Sequence, residues 1–93
     1  MAKIKNFTDW KAAVRAEYDR LDAVMEWLSN EGEQRRLTYY YLWENATYCE
    51  SASDMLEWLK TQEGMNRYEK AALESHFAET PLARLRDIAR QEA

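Results

Sequence analysis

Apolar positions Phe7, Trp10, Val14, Tyr18, Leu21, Met25 and Leu28 recur every three or four residues. At 100° per residue they fall within an arc of about 80°, the stripe of a helix with one face in a core. The spacing predicts a helix from about Asp9 to Leu28, capped by Asn6 or Thr8. Its expected stop is Ser29-Asn30-Glu31-Gly32, with the glycine supplying a left-handed residue.

From Glu33 to Glu50 the chain is apolar on nearly every side. Leu37, Tyr41 and Tyr48 share one helical face, Leu42, Ala46 and Cys49 a second, Tyr40 and Trp43 a third. The run Leu37-Thr38-Tyr39-Tyr40-Tyr41-Leu42-Trp43 is also rich in strand formers, so a hairpin over 37–49, turning at Glu44-Asn45 in an α+β fold, competes with a helix. Helix is the preferred reading, because Glu-Asn is a poor two-residue turn and a lone hairpin finds no third strand.

Ser51 or Ser53 opens a third helix carrying Met55, Leu56, Trp58 and Leu59, which Gly64 is expected to end. Asn66 and Glu69 fit the cap of a fourth helix that turns Met65, Ala72, Leu73, His76 and Phe77 inward. Thr80-Pro81 starts a fifth with Leu82, Leu85, Ile88 and Ala89 as its stripe. An internal echo supports the helical reading of 33–50: Glu26-Trp27-Leu28, then Glu31-Gly32 and Arg35, matches Glu57-Trp58-Leu59, then Glu63-Gly64 and Arg67, with one residue inserted. The expected architecture is all-α, two helical hairpins plus a C-terminal helix, in a single domain over 1–93.

Composition agrees: two glycines and one proline in 93 residues leave too little turn chemistry for an all-β domain. A lone cysteine, Cys49, excludes an intrachain disulfide and a zinc-finger framework, and points to a reducing compartment. The start of the chain lacks a signal-peptide run and no stretch has the length of a membrane span, so a cytoplasmic protein is expected, with no membrane partner. A net charge of −4 argues against a duplex-binding footprint. A helix-turn-helix around Gly32 is disfavoured too, since Glu31 and Glu33 flank the turn and phosphates would repel Asp19, Asp22 and Glu26.

Nothing in the chain reads as catalytic. The single histidine, His76, has no signature joining it to Cys49 or a serine, and a partly buried structural role suits it better. Glu74-Ser75-His76 lacks the three- or four-residue spacing of helical metal ligands, and no glycine-rich phosphate loop occurs, so neither metal nor cofactor is expected.

Two surfaces stand out. Lys3, Lys5, Lys11 and Arg15 oppose Asp9 alone before residue 17, whereas Glu17, Asp19, Asp22, Glu26, Glu31 and Glu33 oppose Arg20 alone over 17–33. On one helix ending at Leu28 this order works against the dipole. It implies either pairing with Arg35 and Arg36 or an acidic docking face extended by Glu50, Asp54 and Glu57. The second surface is aromatic. Tyr39, Tyr40 and Tyr41 sweep about 200° of a helix and cannot share one core face, and Trp27 lies opposite the main stripe beside Ala12, Ala16 and Ala23.

The reading that follows is a non-enzymatic module that binds another protein, an inhibitor or adaptor such as the short proteins by which phages and mobile elements block host nucleases. Its expected contact residues are Asp19, Asp22, Glu26, Trp27, Tyr39, Tyr40, Asp54 and Glu57. Two alternatives stay open: a nucleotide-type ligand clamped by Arg35, Arg36, Tyr39 and Tyr40, and a structural homo-oligomer, of which a homodimer is the simplest form.

Overall fold

The computed structural model describes residues 4–61, 63–67 and 81–92, with Glu26 and 81–83 described by backbone only. Five helices and no strand occur among them. They are α1 (Phe7–Ala23), α2 (Asn30–Thr47), α3 (Ala52–Leu59), α4, which is described over 63–67, and α5 (Pro81–Glu92). A single 3-10 turn, Glu26–Leu28, lies between α1 and α2.

Helix α1 starts as its sequence directs. Asn6 caps it, its side chain accepting the Asp9 N–H at 2.8 Å while the Asp9 carboxylate accepts the Lys5 N–H at 3.0 Å. Its end is not where the stripe points. The helix closes at Ala23, and Met25 takes φ 58, a left-handed conformation that a side chain strains to hold. Met25 thus occupies the place after a helix cap that glycine usually fills. Its N–H donates to the Asp22 carbonyl at 3.1 Å, and its own carbonyl accepts from Leu28 at 3.0 Å to form the 3-10 turn.

Gly32 is no stop at all. Ser29 caps α2, its hydroxyl accepting the Gly32 N–H at 2.9 Å, so the glycine sits three residues into the new helix. The echo repeats this device, since Thr61 Oγ1 accepts the Gly64 N–H at 3.1 Å as α4 opens. The repeated Glu-Gly therefore marks the first turn of a helix in both places. Helix α3 ends at Leu59, well before Gly64, and Asn66 lies inside α4 rather than capping it. Residues 69, 72, 73, 76 and 77, expected on that helix, lie outside the described residues.

One helix spans the segment where a hairpin competed. Glu44 and Asn45, the supposed turn, lie within α2, where Asn45 Nδ2 donates to the Tyr41 carbonyl at 2.9 Å and Thr47 Oγ1 to that of Glu44 at 2.6 Å. The Asn45 and Thr47 side chains are bonded to the helix's own carbonyls and stabilise no turn.

Helices α1 and α2 form an antiparallel hairpin. Asp22 meets Arg36, Tyr18 meets Tyr40 and Arg15 meets Trp43, each step down α1 matching a step up α2. Helix α3 packs on α5, and α5 also touches α1. The core joins Phe7, Trp10, Val14 and Leu21 to Tyr39, Leu42 and Ala46, then to Ala52, Met55, Leu59, Leu85 and Ile88. Each fully buried large side chain contributes roughly 1.5–3 kcal/mol. Of the three faces of α2, the one bearing Leu42 and Ala46 faces this core, with Cys49 half-buried beyond it.

Candidate protein-docking surface

The left-handed Met25 decides what the α1–α2 connection displays. Because the chain leaves the helix there, Val24, Met25 and Leu28 depart from the direction of the Leu21 stripe and do not enter the core. Val24 is 55% exposed, Met25 49%, Trp27 42% and Leu28 67%, although each is large and apolar. Four such side chains within five residues form an apolar tip at the apex of the hairpin. Met25 and Leu28, expected as core, are thereby corrected to surface. Trp27 lies in the 3-10 turn beyond α1, so its exposure does not follow from a helical face shared with Ala12, Ala16 and Ala23, which are themselves exposed.

The tip is bordered by carboxylates. Asp19 and Asp22 lie in the last two turns of α1, both exposed, and Glu31 is exposed in the first turn of α2. The break at Met25 also changes their meaning. Glu31 and Glu33 do not end α1 against its dipole; they begin α2, where negative charge is favourable. Only Asp22 remains at the unfavourable end of α1, and there Arg36 Nη1 lies 3.6 Å from it. Asp19 pairs with Arg15 at 3.1 Å. The Glu26 side chain lies outside the described residues.

The structure separates the remaining expected contacts. Tyr39 is fully buried in the core and is not available to a partner, because it is the tyrosine in line with Leu42 and Ala46. Tyr40 is exposed, packed against Tyr18 at 5.7 Å and Tyr41 at 5.6 Å between ring centres, with the Glu44 charge pushing its phenol pKa up. Asp54 and Glu57 belong to α3, which follows the far end of α2, a helix of 18 residues and so about 27 Å long. Asp54 there accepts the Glu50 N–H, and Glu57 pairs with Lys60 at 2.8 Å. They do not extend the acidic border.

Nor do Arg35, Arg36, Tyr39 and Tyr40 form a ligand clamp. The Arg36 guanidinium is held by Glu33 at 2.9 Å and donates to the Tyr18 hydroxyl at 3.2 Å, and Tyr39 is inside. Beside it runs a seam of rings and cations: Arg15 lies over Trp43 at 4.5 Å and Arg67 over Tyr41 at 4.1 Å. Arg15, Arg36 and Arg67 each have a carboxylate on their own helix, Asp19, Glu33 and Glu63, so the seam carries little surplus positive charge for a phosphate.

Three features here are not legible in the sequence: the exposure of Val24, Met25 and Leu28, the burial of Glu17, and the contact of Tyr18 with both Arg36 and Tyr40 of α2. Glu17 is buried with its carboxylate gripped by Arg20 Nη2 at 2.6 Å. The signal for the tip was Ser29, since a cap there forces α1 to end before it. Among the described residues no three His, Cys, Asp or Glu side chains are placed to hold a metal ion, and His76 lies outside them. No described helix is long and apolar enough to cross a membrane. A scan against protein-family models, a search of curated proteins and a search of solved structures each give no match for this chain.

Proposed function

We propose that the chain is a non-enzymatic protein-binding module, an inhibitor or adaptor, whose anchor is the apolar tip Val24–Leu28. The observation that carries this reading is the exposure of Val24, Met25, Trp27 and Leu28 together on a turn pinned by a left-handed methionine. An isolated exposed leucine needs no explanation, but a tryptophan-centred cluster with an acidic border has the make-up of a binding hot spot. Asp19, Asp22 and Glu31 suit a partner that surrounds an apolar pocket with lysine and arginine, as proteins that handle nucleic acid commonly do. A block on a host nuclease by a phage or mobile-element protein is one function of that kind.

The test is comparative capture. Immobilised wild-type chain and the Trp27→Ala and Leu28→Ala variants are exposed to the same host extract, with circular dichroism confirming that all three are folded. A species retained by the wild type, lost with both variants and weakened by salt supports the reading. Equal retention by all three removes the tip from the function.

A further inference from the structure

We propose that Met25 is a modification site: a hydroperoxide oxidises its thioether to the sulfoxide, which makes the apolar tip polar and leaves the fold in place. Among the described residues Met25, Cys49, Met55 and Met65 carry sulfur, and they differ in what an oxidant can reach. Met25 is 49% exposed, Met65 and Cys49 are half-buried, and Met55 is fully buried in the core. The Cys49 thiol is shielded twice. It donates to Met55 Sδ at 3.9 Å, and burial together with the Asp54 charge holds its proton, whereas the thiolate is the form that reacts with peroxide. Oxidant is thereby directed to the tip.

The step needs no catalytic group. A lone pair of Met25 Sδ attacks one oxygen of the hydroperoxide, the S–O bond forms as the O–O bond breaks, and the proton of the transferred oxygen goes to the leaving oxygen, giving water or an alcohol. Sulfur loses two electrons and the peroxide gains them. The turn survives because its bonds are backbone bonds: the Met25 N–H donates to the Asp22 carbonyl at 3.1 Å and the Met25 carbonyl accepts from Leu28 at 3.0 Å. The side chain is not part of the core, so the new sulfoxide oxygen, a polar acceptor, changes only the surface beside Val24, Trp27 and Leu28. Glycine would hold φ 58 without strain, so the thioether sits there at a conformational cost, which points to the side chain as what this position supplies. Release of a bound partner on oxidation rests on the docking reading above, whereas the modification itself does not.

The experiment treats the full folded chain with hydrogen peroxide and follows each sulfur by peptide mapping and mass spectrometry, with circular dichroism as the check on fold. Retention on a phenyl resin reports the polarity of the tip. Met25 is expected to oxidise at least about fivefold faster than Met55 or Cys49, with the helical signal unchanged. Retention is expected to fall on oxidation and to return when methionine sulfoxide reductases and a dithiol remove the oxygen. Met25→Leu, still apolar, is expected to keep its retention under the same treatment, which separates Met25 from the other methionines, and Met25→Gln to match the oxidised wild type without oxidant. Oxidation of Met55 or Cys49 as fast as Met25 overturns the proposal, as does loss of helix on oxidation of Met25, or a fall in retention that Met25→Leu shares. In the capture assay, an oxidised chain that retains the same species as the reduced one overturns the release alone. Equal retention by the Trp27→Ala and Leu28→Ala variants overturns the docking reading alone.

Discussion

The Glu92 carboxylate, at the end of α5, accepts the backbone N–H of Ala52 with both oxygens, each at 3.1 Å. Ala52 opens α3, and its N–H is one of the donors a helix leaves without an internal partner. Ser51 satisfies the Asp54 N–H from the same end, so two side chains 41 positions apart divide the work of starting one short helix. The contact also places negative charge at the positive end of the α3 dipole.

Glu92→Ala is therefore expected to lower stability by about 0.5–2 kcal/mol, the usual cost of losing a cap. Glu92→Gln keeps an acceptor and is expected to cost less. Denaturant titrations with a common slope would show the order; equal stability of all three proteins would mean that the contact adds nothing in solution.

Leu21 and Leu28 share the sequence stripe but not the core, and their alanine variants should differ. Leu21 is fully buried, so Leu21→Ala is expected to cost roughly 2–5 kcal/mol. Leu28 is two-thirds exposed, and Leu28→Ala is expected to stay within about 0.5 kcal/mol of the wild type. Thermal melts of the pair are the measurement. A large loss in Leu28→Ala would restore the longer α1 that the stripe implied.

These two leucines also show where the sequence was readable. The all-α class followed from capped stripes and scarce glycine, and Asn6, Ser51 and Pro81 begin helices near where they should. The end of α1 is hidden in the sequence because Met25 and Leu28 continue its spacing and because the left-handed residue is a methionine, while Gly32 lies inside α2. The exposure of Trp27 was not decided by its position off the stripe, because α1 ends before it. Nor was Tyr40 distinguishable from Tyr39, since the segment 33–50 is apolar on nearly every side and only tertiary packing selects the face that is buried.

Gly64 sits in a tight place. A Cβ there would lie 2.6 Å from the Trp58 carbonyl oxygen, 3.0 Å from Thr61 Oγ1 and 3.1 Å from Leu59 Cα. Two of those atoms are backbone and cannot swing aside. Alanine is the better helix former by up to about 1 kcal/mol, so propensity and packing oppose each other. Packing is expected to win, with Gly64→Ala destabilising by about 1–3 kcal/mol. A variant that melts at or above the wild-type temperature would show that the start of α4 can move away from the end of α3.

Cys49 has its thiol half-buried, with Sγ donating to Met55 Sδ at 3.9 Å. Burial pushes its pKa up, the charge of Asp54 pushes it further, and Lys11 opposes both weakly. The folded chain therefore keeps the thiol proton at pH values where the unfolded chain, with an ordinary pKa of about 8.5, has released it. Since the folded state binds more protons there, the thiol's contribution to stability is fully present below that pH and is lost as pH rises through the folded pKa. Two outcomes are expected. Iodoacetamide should alkylate Cys49 more slowly in the folded chain than in urea at pH 8, and the stability difference between wild type and Cys49→Ala should shrink as pH rises above about 8.5. Asp54→Asn should speed the alkylation by removing the neighbouring charge, with Ser51 still capping α3. A folded chain that reacts as fast as the unfolded one at every pH would show that Cys49 is open to solvent and that neither burial nor Asp54 governs its chemistry.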